Sequence, residues 1–172
     1  MHAPKTLVLA LAALAALAAG TGSAALADTK AGDDRRGDAK CDGSPCPDLK
    51  SAIAGHGIFD ETELFYIVTQ HNAVERGRLP RIAINTRGSG SSRPEFYVEK
   101  RSSGPGVFKA KTGRKVGAAV WTNPGTSAAT WTFLPSAIGS PPRYGWRVEI
   151  AGSGGGRIDA APDHGYLVHR LR

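Results

Sequence analysis

The sequence predicts an all-β protein: a two-sheet antiparallel β-sandwich, jelly-roll-like, of about eight to ten short strands. Branched and aromatic residues occur in short runs, such as Leu64–Val68 and Arg81–Asn85, and turn-forming Gly, Pro, Asn and Ser residues separate these runs. No run has the period of a long amphipathic helix. A closed barrel is the alternative, and strand order does not follow from the sequence because pairing depends on contacts between distant residues.

The N-terminal residues 1–27 have the three regions of a secretory signal peptide. Lys5 precedes the apolar run Leu7–Ala19, and small residues continue to Ala27. The apolar run is shorter than the roughly 20 residues that a membrane span needs. We therefore predict a secreted, extracellular protein with no transmembrane segment.

Two further regions follow the predicted signal peptide. Residues 28–40 are rich in charged residues and glycine and contain hardly an apolar side chain. Such a segment buries too little surface to offset its conformational entropy, so we predict a disordered leader. Residues 41–172 are predicted to form the β-sandwich domain, since this length is enough for one hydrophobic core.

Both cysteines of the chain, Cys41 and Cys46, lie at the start of the predicted domain. In an exported protein a close pair is more often bonded than free, and Gly43 and Pro45 supply a turn between them. We predict a disulfide bond that contributes about 2 kcal/mol, because the loop it closes is small. A redox or metal site is the alternative, but no further Cys or clustered His accompanies the pair.

Alternation of apolar and polar residues predicts which side of each strand faces the core. Leu64–Val68 is apolar on both faces, which favours a central strand. The stretch 134–139 has Pro135 near its start and Gly139 at its end, which predicts a single helical turn. The predicted core positions of the other clear strands are Ile82, Ile84, Phe96, Val98, Trp131, Phe133, Tyr144, Trp146, Val148 and Ile150.

Trp121 is a candidate contact residue. Two sets of residues alternate in this part of the chain, namely Val116, Ala118 and Val120, and Gly117, Ala119 and Trp121. If the valines face the core, Trp121 lies on the outer face, where an exposed indole offers a contact surface. The alternative is that Trp121 packs under a loop.

The order of these runs also indicates a family. The early half contains Pro47–Leu49, Leu64–Val68 and Arg81–Asn85, and the later half contains Trp131–Pro135, Ile138–Gly139, Tyr144–Glu149, Asp159 and Pro162–Gly165. Over residues 47–171 this pattern resembles the carbohydrate-binding module family 9-like sandwiches. The resemblance concerns core positions and turns, so it implies the fold rather than a binding site. It also implies that sugars held between aromatic rings, and structural calcium, are possible in a domain of this type.

No catalytic motif is present. The sequence contains no G-x-S-x-G, H-E-x-x-H or C-x-x-C pattern. The isolated histidines, each next to a predicted loop or strand end, are His56, His71, His164 and His169. We predict that they are solvated surface groups rather than bases or ligands, and that the protein is not an enzyme and has no cofactor.

Carboxylates near the predicted turns raise the question of calcium. Asp159, Asp163, and Asp60 or Glu61 carry the hard oxygen ligands that calcium prefers. No EF-hand-like series occurs, however, and Asp side chains commonly bond the backbone of their own turn. We therefore predict turn capping and no metal site.

The chain is basic, with 22 Lys and Arg against 15 Asp and Glu and a formal net charge of +7. The basic residues concentrate in the middle third, between Arg76 and Lys115. A basic surface favours anionic partners. For an exported protein these are acidic wall polymers or membrane head groups rather than nucleic acid, for which no motif is present. The alternative role of the charge is solubility.

These observations predict a secreted non-catalytic binding domain for carbohydrate or an anionic cell-envelope polymer, such as a cell-wall polysaccharide. Aromatic faces stack on sugar rings, and arginine pairs with carboxylate or phosphate. The predicted ligand-binding residues are Trp121, Tyr97, Arg87 and Arg93. The alternative is an extracellular protein-interaction or structural domain. The oligomeric state does not follow from the sequence.

Overall fold

The computed structural model describes residues 30–34, 37, 39, 47–56, 63–71, 79–87, 93–122, 127–151 and 157–171. Over these residues the chain is a two-sheet antiparallel β-sandwich, which confirms the predicted fold class. The predicted signal peptide and the predicted Cys41–Cys46 disulfide lie outside the described residues. No helix in the described part of the chain has the length and apolar character needed to cross a bilayer.

The described residues form twelve strands and one short 3₁₀ helix. The strands are β1 (Lys30–Asp33), β2 (Leu49–His56), β3 (Leu64–Gln70), β4 (Pro80–Asn85), β5 (Phe96–Arg101), β6 (Gly104–Lys109), β7 (Lys115–Ala118), β8 (Val120–Thr122), β9 (Ala128–Phe133), β10 (Arg143–Ala151), β11 (Arg157–Ala161) and β12 (Leu167–Arg170). The helix, Pro135–Ile138, is the helical turn predicted from the sequence, and Gly139 ends it with a left-handed φ of 82°.

Two sheets enclose the core. Sheet I has the strand order β1-β2-β3-β9-β8, so β3 is central, as its apolar sequence predicts. Sheet II has the order β11-β10-β4-β5-β6-β7, and β12 pairs with β10 on the same edge as β11. Trp131, Trp146, Tyr66 and Tyr144 are the largest side chains fully buried between the sheets. The predicted core positions all belong to this core, with Phe96 partly buried at its margin.

The predicted leader contains a strand. Lys30–Asp33 forms β1, which pairs antiparallel with β2, and the Asp34 N–H donates to the Lys50 carbonyl at 3.0 Å. The prediction of disorder for residues 28–40 is therefore wrong for this strand. An exposed sheet edge offers unpaired backbone groups, so a segment without apolar side chains can still be ordered by backbone hydrogen bonds.

The strand predicted around Val120 is divided between the two sheets. β7 belongs to sheet II and β8 to sheet I, so the chain changes sheets at Ala119. Val120 is 58% exposed, whereas Trp121 lies directly opposite the buried Trp131 in the β8–β9 pair. Exposure alternates from Gly117 to Thr122, so the residues that face the core are Gly117, Ala119 and Trp121, and Ala118 and Val120 are exposed. Val116 stands outside this alternation because the β6–β7 register shifts there.

The 3₁₀ helix packs on β7 at Gly117. A Cβ added to Gly117 would overlap the Cβ of Ala137 and lie 3.7 Å from the Cβ of Val107. We expect Gly117→Ala to lower the free energy of unfolding by about 1 to 2 kcal/mol, since overpacking forces the neighbours apart. Urea denaturation measures this change.

The sign of that result is informative. A Gly→Ala substitution in a strand with free space stabilises the protein, because it restricts the unfolded chain. Adding Ala137→Gly to Gly117→Ala should restore most of the lost stability. A stabilised Gly117→Ala variant would show that the helix does not press on β7.

Candidate functional site

A groove with a volume of about 1080 Å³ opens at one end of sheet II. Three segments line it: Thr86 and Arg87 after β4, residues 93–97 leading into β5, and residues 109–112 after β6. The three segments are neighbours because β4 pairs with β5 and β5 pairs with β6, both antiparallel. The groove is therefore formed where two consecutive hairpins end side by side.

Glu95 holds these three segments together. Its backbone N–H donates to the Ile84 carbonyl at 2.9 Å, and its own carbonyl accepts from the Ala110 N–H at 2.8 Å. Its carboxylate accepts from the backbone N–H of Thr86 at 2.7 Å. These bonds are backbone-based or include a charged acceptor, so the groove floor is fixed before any ligand binds.

The groove is basic. Its lining includes four cationic side chains, Arg87, Arg93, Lys109 and Lys111, and one carboxylate, Glu95. Glu95 forms an ion pair with Arg87, with 2.9 Å between Arg87 Nε and Glu95 Oε1. Lys109 and Lys111 are exposed, and neither forms an ion pair with a carboxylate of the described residues. One wall of the groove thus presents positive charge that the described part of the protein does not neutralise.

Tyr97 forms part of the groove and part of the outer face of sheet II. The Arg81 guanidinium carbon lies 4.1 Å from the Tyr97 ring centroid, so this cation covers one face of the ring. Burial, followed by the nearby Glu149 carboxylate, raises the pKa of the Tyr97 hydroxyl above its usual value. Tyr97 therefore offers a neutral phenol to the groove at physiological pH, and one of its faces is closed to a stacking sugar.

Three of the four predicted ligand-binding residues, Tyr97, Arg87 and Arg93, line this groove, and Trp121 does not. Trp121 is on sheet I, where its ring centroid lies 6.2 Å from that of Trp131 and the side chain packs against the core. Lys100 Nζ is 5.1 Å from the Trp121 ring centroid. The structure thus places Trp121 on the core side of β8, apart from the other predicted residues.

A chain of ion pairs crosses the outer face of sheet II, the face turned away from sheet I. The arginine ladder, as we call it, consists in order of Arg101, Glu99, Arg81, Glu149 and Arg147. Glu149 is only 2% exposed and pairs with both Arg81 and Arg147. The ladder pairs Arg81 and Arg101, two arginines of the basic middle third, with carboxylates. Lys109 and Lys111 on the groove wall form no ion pair with the described residues, and the same holds for exposed cations elsewhere, such as Lys50 and Arg157.

Three carboxylates meet near the end of β11. Asp34, Asp159 and Asp163 each place an oxygen atom within 4.8 Å of the others. Asp159 accepts the backbone N–H of Ala160 at 2.8 Å, which is the local bonding that the sequence predicted. Its other oxygen accepts the N–H of Leu49 at 2.7 Å and so joins β11 to β2. Asp60 and Glu61 lie outside the described residues.

The histidines were predicted to be solvated surface groups, and this prediction is wrong for His169, which is 1% exposed. Its Nε2 lies 3.3 Å from Nδ1 of His56, a residue 113 positions away in the chain. No local pattern of the sequence signals this contact, because it arises only when β2 and β12 are brought together by the two sheets.

Comparison of the chain with protein-family models, curated proteins and solved structures found no match. The likeness to carbohydrate-binding module family 9-like domains therefore stays a prediction.

Proposed function

We propose that the protein is a secreted, non-catalytic binding domain that holds an anionic cell-envelope polymer in the groove at the end of sheet II. The observation that supports this most is the contrast between two sets of cations. Arg81, Arg101 and Arg147 each form an ion pair with a carboxylate of the arginine ladder. Lys109 and Lys111 are exposed on the groove wall and form no ion pair with the described residues.

The groove suits a charged chain better than a neutral sugar. Arginine guanidinium groups bind carboxylates and phosphates through paired hydrogen bonds, and lysines act as mobile point charges. Tyr97 adds a hydroxyl, but the face of its ring that Arg81 covers is not free for stacking. An anionic polymer contacts several of these groups at once, so weak pairs at an exposed site add up to useful affinity.

The test is a titration of the purified protein with three polymers at low and high salt: polygalacturonate, poly(glycerol phosphate) and a neutral glucan. We expect binding of at least one anionic polymer, weakened by salt because exposed charges are screened, and no binding of the glucan. Lys109→Gln with Lys111→Gln removes two contacts of up to about 1 kcal/mol each, so the affinity should fall roughly tenfold.

The control removes the same charge elsewhere. Lys50→Gln with Arg157→Gln changes two exposed cations on β2 and β11, outside the groove. An equal loss of affinity in this control would mean that net charge alone attracts the polymer. Binding that does not respond to salt, or binding of the glucan, would contradict the proposal.

A second candidate function is an extracellular protein-interaction domain. Val120 is 58% exposed and Leu134 is 50% exposed, and both line a second groove of about 280 Å³. β8 is an edge strand of sheet I, so its backbone is accessible for pairing. Binding to whole proteins but to none of the three polymers would favour this function over polymer binding.

A further inference from the structure

Arg87 and Glu95 form an ion pair inside the basic groove, with 2.9 Å between Arg87 Nε and Glu95 Oε1. The arginine side chain is 77% exposed, whereas the glutamate side chain is 17% exposed. The pair therefore joins a carboxylate of the groove floor to a guanidinium group that extends into solvent. An ion pair this exposed contributes little to the free energy of unfolding. Its consequence for the groove is the placement of Arg87.

The Glu95 carboxylate is held in place without Arg87. Its Oε2 atom accepts hydrogen bonds from the Thr86 backbone N–H at 2.7 Å and from the Thr86 hydroxyl at 3.3 Å. The backbone of Glu95 is hydrogen-bonded to Ile84 and to Ala110, which lie on the two neighbouring segments. Glu95 is thus a fixed anchor for the longer side chain of Arg87.

Arg87 is restrained at two points. Its backbone N–H donates to Asn85 Oδ1 at 3.0 Å, and its Nε contacts the Glu95 carboxylate. A free arginine side chain on a protein surface populates many rotamers and loses conformational entropy when a ligand orders it. Because Glu95 already restricts the Arg87 side chain, less of this entropy is lost when a ligand binds.

The end of the Arg87 guanidinium group is open to a ligand. The closest approach to Glu95 is made by Nε, and the guanidinium group carries its other N–H donors on Nη1 and Nη2. Among the described residues, neither Nη atom of Arg87 has a hydrogen-bond acceptor. Two parallel N–H donors fit the paired oxygens of a carboxylate or of a phosphodiester.

We propose that Glu95 is a positioning residue, which holds Arg87 so that its Nη atoms bind one anionic group of the polymer through two parallel hydrogen bonds. The ligand is then a polymer whose repeating anion presents two equivalent oxygens, as a carboxylate or a phosphodiester does. Lys109 and Lys111 add charge, whereas Arg87 recognises the shape of the anion. This inference rests on the proposed function.

The experiment is titration of the purified protein and its variants with poly(glycerol phosphate) and with polygalacturonate. Glu95→Gln makes the groove more positive, so a glutamate that merely offsets charge would weaken binding, and its removal would strengthen it. We expect the opposite result, a loss of about three- to tenfold in affinity, because Arg87 is no longer held. Arg87→Lys keeps the charge and removes the paired donors, so it should cause a similar loss with an unchanged dependence on salt.

A double variant separates positioning from a structural role of Glu95. When Arg87 is already lysine, Glu95→Gln should weaken binding no further, because Glu95 acts through Arg87. A further loss in the double variant would mean that Glu95 acts only through the groove floor, and it would overturn the inference. The control Arg157→Lys makes the same exchange on β11, outside the groove, and should bind like the unmodified protein. If Glu95→Gln fails to fold, Arg87→Lys decides the result, since Arg87 is exposed.

The remaining outcomes distinguish this inference from the proposed function. Stronger binding by Glu95→Gln, or unchanged binding by Arg87→Lys, would overturn the inference while the groove still binds the polymer through Lys109 and Lys111. A loss seen with only one of the two polymers would support the inference and identify the anion. If the unmodified protein binds neither polymer, the proposed function is wrong and the inference is overturned with it.

Discussion

We expect Glu149→Gln to lower the free energy of unfolding by about 3 to 5 kcal/mol, the range for breaking a buried ion pair by removal of one partner. Glu149 is 2% exposed, and its oxygen Oε2 lies 2.9 Å from Arg81 Nη2. Its other oxygen accepts from Arg147 Nε at 2.6 Å. A glutamine keeps the shape but not the charge, so two guanidinium groups that are 16% and 13% exposed lose their shared counter-ion.

Chemical denaturation in urea measures the loss, and Arg87→Gln is the control. Arg87 is 77% exposed and pairs with Glu95. Its removal breaks only this exposed pair, which contributes about 0 to 1 kcal/mol, and keeps the bond from the Thr86 N–H to the Glu95 carboxylate. Equal losses in the two variants would contradict the view that the arginine ladder stabilises sheet II through its buried centre.

The second large effect is expected in alkali. The hydroxyls of Tyr66 and Tyr144 are 2.6 Å apart inside the core. Burial raises the pKa of both hydroxyls above 10, and the proximity of Tyr144 raises that of Tyr66 further. In the unfolded chain both titrate near about 10. Below about pH 10 both hydroxyls are neutral in the folded and the unfolded chain, and the pair does not lower the stability. As the pH rises above about 10 towards the higher pKa values of the folded state, the hydroxyls ionise first in the unfolded chain, so the free energy of unfolding falls. We expect urea midpoints to fall steeply above about pH 10.

Conservative variants separate this effect from general alkaline unfolding. Tyr66→Phe leaves the Tyr144 hydroxyl without its partner and should cost about 1 to 3 kcal/mol at neutral pH. The double variant Tyr66→Phe with Tyr144→Phe removes both groups, so it should be more stable than the single variant and less sensitive to alkali. Tyr97→Phe, at a half-buried site, is the control. If the double variant retains the full alkaline sensitivity, the buried pair is not its cause.

Much of the fold follows from local sequence. Successive side chains of β10 point to opposite faces of the sheet, so the sequence pattern predicts which of them face the core. Tyr144, Trp146, Val148 and Ile150 are buried as predicted. The alternation around Trp121 left the core side open, and Ala119 and Trp121 face the core while Val120 is exposed. A register shift in the β6–β7 pair sets Val116 apart from Val120, so the valines do not mark the core side. The side-chain pattern fails for β1, whose order comes from backbone bonds to β2 rather than from its own side chains.

The candidate groove was partly predictable for a similar reason. Arg87, Arg93 and Tyr97 belong to one hairpin, so their proximity follows from the order of the chain. Lys109 and Lys111 were recognisable as basic but not as members of the site, since their position depends on the β5–β6 pairing. Contacts between distant segments, such as that of His56 with His169, leave no local signal.

The most direct test of polymer binding at the groove is co-sedimentation with isolated cell-wall material at low and high salt. We predict that the unmodified protein and the Lys50→Gln with Arg157→Gln control sediment at low salt and are released by high salt, while a much smaller fraction of Lys109→Gln with Lys111→Gln sediments at low salt. Sedimentation of the groove variant at low salt to the same extent as the unmodified protein would contradict the proposed site.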